Sequence, residues 1–354
     1  MNPCSSLTIE HLPNEILTPI LKACAAPSLY SVCTKWRHLL ATEVMPTLYK
    51  QIGKMHVPHG DVHKQTLIID RIYKLEAELP EIAKVYAIFK QTFTLAKSLS
   101  PLEFKSKTLE KRYFTLANYS SYLVNINRLL MWKNLPSGRE YLEQEKIKYL
   151  PLKEKGRLFK EWIENHGKDI KSLDLTASGL TFLPPEIGYL SQLKKLNLNN
   201  NQLTTLPVEI GRLSQLITLC LDNNQLTSLP KEIGRLSQLR ELNLNNNRLT
   251  TLPAEIGQLL QLKSLNLGQN QLTTLPAEIG QLLQLKSLNL RQNQLTILPA
   301  ELGQLSQLQE LDLSSSQLTT LPIEIGQLSQ ELGLDLNGNP LESIPEGIKQ
   351  RFNL

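Results

Sequence analysis

The sequence predicts an α+β multidomain chain of two unlike halves: a helical N-terminal region, then a solenoid of stacked coils with a concave sheet. Three observations lead there. A leucine pattern recurs every 23 residues from Leu173 to Leu334. Ahead of it, apolar residues recur at i, i+3 and i+4, the spacing of one helix face. The charge also changes sign between the halves. Residues 1–168 carry 25 basic and 16 acidic side chains and residues 169–354 carry 13 and 17, so the net +5 conceals a basic and an acidic module.

The repeat is in phase at Leu173, Leu196, Leu219, Leu242, Leu265, Leu288, Leu311 and Leu334. Its unit reads L-x-L-x-x-N-x-L-T-x-L-P-x-E-I-G-x-L-x-x-L. The alternation in Leu196-x-Leu198 predicts a short strand with both leucines facing inward. Asn201, Asn224, Asn247, Asn270, Asn293 and Asn339 recur at the following turn, where an inward amide can bond backbone groups of adjacent coils. Ser178 and Ser316 stand there in two units and should do so less well. The Leu-Pro step ends the strand, and E-I-G-x-L returns the chain on the convex side. The unit resembles the leucine-rich repeat, whose units run to about 20–29 residues. That resemblance implies an α/β horseshoe of about eight repeats, with a concave sheet roughly 40 Å long at about 4.8 Å per strand. No coil can bury its leucines alone, so the stack folds as a unit.

The ends of the array are marked. Leu158, Phe159, Trp162 and Ile163 predict an amphipathic cap helix over 158–170, with Gly167 near its end. In the eighth unit Glu331 stands where earlier units have Leu308 or Leu285, which predicts a distorted last coil with Leu332 substituting. Residues 253–275 and 276–298 differ only at Gly268/Arg291 and Thr274/Ile297.

Strand positions facing outward are small, polar and mixed in sign, which suits binding. The target-facing set is Lys195, Asn197, Thr218, Asp222, Glu241, Asn243, Asn266, Asn289, Arg291 and Asp312. Two residues before each strand leucine stand Lys171, Lys194, Ile217, Arg240, Lys263 and Lys286, five of the six basic. This rim either meets an acidic partner or keeps the sheet soluble.

No enzyme is expected. Cys220 lies in a strand without a neighbouring histidine, and no nucleophile–base pair can be assembled. Four cysteines without metal-like or paired spacing point to a reducing compartment, with no cofactor and no metal. His56, His59 and His63 in HVPHGDVH have a ligand-like spacing, but Pro58 and Gly60 make that stretch a solvated loop in this reading. The basic residues of the first half are spread between acidic ones with no recognised motif, so nucleic acid is not an expected partner. No run of eighteen apolar residues spans a membrane. The first residues lack the pattern of a Sec signal peptide, so a cytoplasmic location is expected.

Within the first fifty residues, Leu12, Ile16, Leu17, Ile20 and Leu21 form one apolar face and Leu29, Val32, Cys33 and Trp36 another. Leu12-Pro13, Glu15-Ile16-Leu17, Ile20-Leu21, Leu29, Val32-Cys33, Trp36-Arg37 and Leu39-Leu40 follow one another as in an F-box, which this stretch resembles. An F-box docks on the Skp1 adaptor of a cullin–RING ubiquitin ligase. The resemblance implies that Leu12, Pro13, Ile16, Leu17, Ile20, Leu29, Val32, Cys33 and Trp36 form the adaptor-facing and internal contacts. Residues 1–50 are thus read as an F-box-like module, 51–157 as a helical connector broken at Pro80, and 158–354 as the repeat domain. The combination resembles F-box/leucine-rich-repeat effectors of intracellular bacteria, which act in the host cytoplasm. It implies a substrate-recruiting ligase subunit, against the simpler reading of a protein-binding scaffold.

Overall fold

A computed structural model describes residues 34–58, 60–104 and 116–352 together with Glu15 and Thr18. The chain divides into two compact units, residues 1–129 with 139–159 and residues 130–138 with 160–354.

Helices come first in the chain. α1 (Thr34–Leu39) passes through a π-type turn at Leu40–Val44 into α2 (Met45–His56). α3 (Val62–Ile72) is capped by Asp61, whose carboxylate accepts from the Lys64 N–H at 2.8 Å. Pro80, in extended conformation, sits immediately ahead of α4 (Glu81–Leu99), at the expected break. Then follow α5 (Leu116–Asn134), α6 (Gly138–Glu143), α7 (Glu145–Lys148) and α8 (Leu152–His166). The core of the first unit includes Ile52, Ile69, Val85, Ile88 and Ala96, all without solvent exposure.

That core also holds a polar cluster. His56 Nε2 lies 2.6 Å from the Tyr119 hydroxyl, which lies 2.5 Å from that of Tyr73. Nearby, Asp70 accepts from Tyr49 and from Lys84 Nζ at 2.6 Å. The reading of HVPHGDVH as a solvated loop holds at Pro58, Gly60 and Asp61, which are exposed between α2 and α3, and fails at His56. His56 closes α2 and is 4% exposed, and Asp61 and His63 belong to the start of α3. His59 lies outside the described residues. Among the described residues no group of three His, Cys, Asp or Glu is placed to hold a metal ion.

The second unit starts with its cap. Trp162 packs against Trp132 at 5.6 Å between ring centroids and stacks on His166 at 4.8 Å. The cap helix begins earlier than its apolar pattern indicated, at Leu152, and ends at His166. Gly167 is required at its end, because a β-carbon there would stand 2.6 Å from the Ile163 carbonyl and 2.7 Å from Leu190.

Eight three-residue strands follow: β1 (Ser172–Asp174), β2 (Lys195–Asn197), β3 (Thr218–Cys220), β4 (Glu241–Asn243), β5 (Ser264–Asn266), β6 (Ser287–Asn289), β7 (Glu310–Asp312) and β8 (Gly333–Asp335). They form one parallel sheet in chain order, each residue paired with the one 23 positions on. The strand leucines from Leu173 to Leu311 are at most 2% exposed. The convex return is a five-residue 3-10 turn, such as Val208–Arg212, rather than an α-helix. Only those five residues separate the extended Pro207 from Leu213, too few for a stable α-helix.

Two spacings of the repeat acquire causes. At the residue before each ladder position the backbone is left-handed: Asn200, Asn223 and Asn246 have φ of 52–58°, Gln269 and Gln292 have φ 53°, and Ser315 has φ 54°. Asparagine tolerates that region better than other non-glycine residues, which explains the paired Asn-Asn of the early coils. The glycine of E-I-G answers a close approach. A β-carbon on Gly211, Gly234, Gly257, Gly280 or Gly303 would lie 2.3–2.7 Å from the Glu carbonyl oxygen of the next coil. At Gly326 the nearest atom would be Ile348 Cγ1 at 3.9 Å. Gly280→Ala is therefore expected to cost about 2 kcal/mol through forced separation of coils, and Gly326→Ala to cost nothing. Urea melts of the two variants check this; equal losses would contradict it.

The last coil departs from the rest as expected at Glu331. Leu332 is 7% exposed and takes the inward place, while Glu331 is exposed. Leu328 turns to φ −65°, ψ 164°, where the corresponding residues of earlier coils have ψ of 56–66°. Its carbonyl accepts from Arg351 Nε at 3.0 Å and Nη2 at 2.8 Å, on α9 (Glu346–Phe352), which closes the array.

Candidate protein-binding face

The concave face is built from the residues on either side of each buried strand leucine. Lys195, Glu241, Arg291 and Glu310 are exposed there, and Asn197, Thr218, Asp222, Asn243, Asn266, Asn289 and Asp312 are half-buried. Lys195, Asn197, Thr218, Glu241, Asn243, Asn266, Asn289 and Asp312 lie in strands β2 to β7, and Asp222 and Arg291 stand two residues past the ends of β3 and β6.

Several of these side chains also hold the coils. Asn197, Asn243, Asn266, Asn289 and Asp312 each accept, through Oδ1, the N–H two residues on, at 3.0–3.1 Å. These Asx turns close each strand and occupy one oxygen of the residue. What remains for a ligand at Asn197, Asn266 and Asn289 is the amide N–H pair, whereas the Asn243 amide already donates to Asp222. Asp222 is central: it accepts from Asn243 Nδ2 at 3.1 Å and Asn223 Nδ2 at 2.8 Å. Glu241 accepts from Thr218 at 3.3 Å and Glu310 from Ser287 at 3.1 Å.

Electrostatics at the face act on Cys220 and on the carboxylates around it. Burial, and then the Asp222, Glu241 and Asp174 carboxylates, push the Cys220 thiol up. Nucleophilic cysteines need the opposite shift. Burial also raises Asp222, while hydrogen bonds from Thr176 lower Asp174.

Beneath the face runs the ladder of inward asparagines. Asn247 Nδ2 donates to Leu221 O at 2.9 Å and Leu244 O at 3.0 Å, and its Oδ1 accepts from Leu226 N at 3.0 Å. Asn201, Asn224, Asn270, Asn293 and Asn339 repeat that pattern. Ser316 makes one bond, to Leu290 O at 3.4 Å.

Comparison with known proteins agrees with this geometry. A leucine-rich repeat region is matched over residues 168–242, and leucine rich repeats over 214–272, 237–295 and 260–318. The C-terminal half is a leucine-rich-repeat array. Among solved structures, a leucine-rich-repeat protein of Leptospira interrogans is 47% identical with a TM-score of 0.51, covering 53% of this chain and 48% of that one. The chain thus spans about half the length of that relative. The plant peptide hormone receptor RGFR1, solved in complex with RGF2, is 38% identical with a TM-score of 0.45, covering 50% of this chain and 30% of that one. No curated protein matches the chain.

Along one edge of the leucine-rich-repeat array, Lys171, Lys194, Arg240, Lys263 and Lys286 are all exposed, with Ile217 half-buried among them. Their backbones extend the sheet by one rung, as in Lys286 N to Lys263 O at 2.8 Å. Among the described residues none of the five forms an ion pair, so the rim is an open column of cations. Sequence reasoning missed the dual role of the concave asparagines and the apolar turns beside the rim; the spacing of N-L-N-N and the L-L-Q-L variant are the signals that carry them. Of the adaptor-facing set, Leu12, Pro13, Ile16, Leu17, Ile20, Leu29, Val32 and Cys33 lie outside the described residues. Trp36 lies on α1, with its side chain outside them.

Among the described residues no helix is long and apolar enough to cross a membrane.

Proposed function

We propose that the chain is a non-catalytic adaptor: the leucine-rich-repeat array holds a protein target on its concave face, and the N-terminal region recruits Skp1 and, through it, a cullin ligase. The observation that carries the binding half is the continuous sheet of eight strands with outward Lys195, Asp222, Glu241, Asn243 and Arg291, over strand leucines that are buried from Leu173 to Leu311. Such a surface offers hydrogen bonds and charges of both signs at fixed spacing. The recruiting half is supported by the ordered match of residues 12–40 to an F-box. Function then follows from proximity, because one chain raises the effective concentration of target near the ligase. A cytoplasmic location, the host's if the chain is a bacterial effector, belongs to the same reading.

Mixing the purified chain with Skp1 tests the proposal. A stable one-to-one complex is expected by light scattering after gel filtration, and its loss when Leu12, Pro13 and Trp36 are changed together to Ala. A native chain that gives no complex would leave a leucine-rich-repeat scaffold without a ubiquitin role.

A further inference from the structure

A second surface lies off the concave face, on the edge where the chain turns into β5 and β6. Five residues before the strand leucine, other coils carry Ser191, Ser214, Ser237, Ser306 and Ser329. Two adjacent coils carry Leu260 and Leu283 instead, 57% and 51% exposed. Their neighbours Leu259, Leu262, Leu282 and Leu285 are fully buried and fill the core, so the extra pair adds nothing to it. The serines of the other coils show that the turn does not need leucine. Consecutive coils follow the strand spacing of about 4.8 Å, which makes the pair one continuous apolar ridge.

Three residues on from each stand Lys263 and Lys286, in the unpaired cationic column already described. On the C-terminal side of this ridge opens a cleft of about 440 Å³, lined by Lys286, Ser306, Leu308, Ser329 and Glu331. It lies where Leu328 leaves the geometry of the earlier coils. Ridge, cations and cleft are therefore consecutive along one edge.

We infer that this edge docks an acidic peptide segment bearing leucine-like side chains, from a partner other than the one on the concave face. Carboxylates meet Lys263 and Lys286, apolar side chains cover Leu260 and Leu283, and the cleft takes a small uncharged side chain, because Glu331 stands on its wall. The cationic column sets the sign of the partner. The exposed leucines distinguish an amphipathic peptide from a nucleic-acid backbone, which offers them no apolar contact.

The test uses the full chain and two labelled twelve-residue peptides, one of Glu-Glu-Leu repeats and one of Glu-Glu-Ser repeats, followed by fluorescence anisotropy. The leucine peptide is expected to bind at least about tenfold more tightly. Leu260→Ser with Leu283→Ser, which installs the residue other coils already have, should equalise the two peptides. Lys263→Glu with Lys286→Glu should abolish binding of both. Asp222→Ala with Glu241→Ala, on the concave face, should change neither, and Skp1 binding should be the same in all variants. Equal affinities for the native chain would overturn the proposal. So would tighter binding of a twelve-residue oligothymidylate, or loss of binding only in the concave-face variant. Sedimentation showing a dimer abolished by the leucine-to-serine pair would overturn it in favour of a second copy as the occupant.

Discussion

Replacing Asn247 by Ala is expected to lower the stability of the leucine-rich-repeat array by about 3 kcal/mol. The side chain makes three buried hydrogen bonds, to Leu221 O, Leu244 O and Leu226 N. Each contributes about 1 kcal/mol net, and their loss strands backbone groups that water cannot reach. Because each coil is stabilised mainly by its neighbours, the defect weakens both adjoining interfaces. The reverse change supplies the control. Ser316→Asn restores the ladder where a single 3.4 Å bond now stands, and a gain of about 1 kcal/mol is expected. Urea unfolding of the full chain, read by circular dichroism, measures both; an Asn247→Ala midpoint equal to that of the native chain would contradict the ladder's role.

The first unit is expected to lose about 3 kcal/mol of stability between pH 6.5 and pH 4. Burial lowers His56 from its ordinary value near 6.5 to about 4. Between those values the unfolded chain binds a proton that the folded chain does not, so stability is complete above pH 6.5 and falls as pH drops toward 4. A displacement of this size, at about 1.4 kcal/mol per tenfold change, gives the stated loss. Burial also raises Tyr73 to about 12 and Tyr119 well above its ordinary value, so both hydroxyls stay protonated throughout that window. His56→Gln, which keeps a polar group beside Tyr119, should flatten the profile. Thermal melts at pH 4.5 and 7 check this; an unchanged pH dependence in the variant would show that another group is responsible.

The repeat half was legible because its rules are local and repeated. A leucine every 23 residues determines strand, register and core together, and the inward asparagine follows from the need to satisfy a buried turn. What could not be read there depended on neighbouring coils. The glycine of E-I-G is explained only by the carbonyl of the next coil, and the left-handed residue before each ladder position is hidden by the Asn-Asn pair. Exposed Leu260 and Leu283 look like core leucines in a leucine-rich string, and only their burial separates them from Leu259 and Leu282. In the helical half the failure at His56 has the same origin. Pro58 and Gly60 describe the backbone after it, whereas its environment is made by Tyr73 and Tyr119, 17 and 63 residues away.

The adaptor proposal divides labour between the ends of the chain, and hydrogen exchange with and without Skp1 tests that division most directly. The account predicts slowed exchange within residues 12–40 and unchanged exchange across the strands from β1 to β8, leaving the concave face open for a target. Protection of those strands by Skp1, with residues 12–40 unaffected, would contradict it.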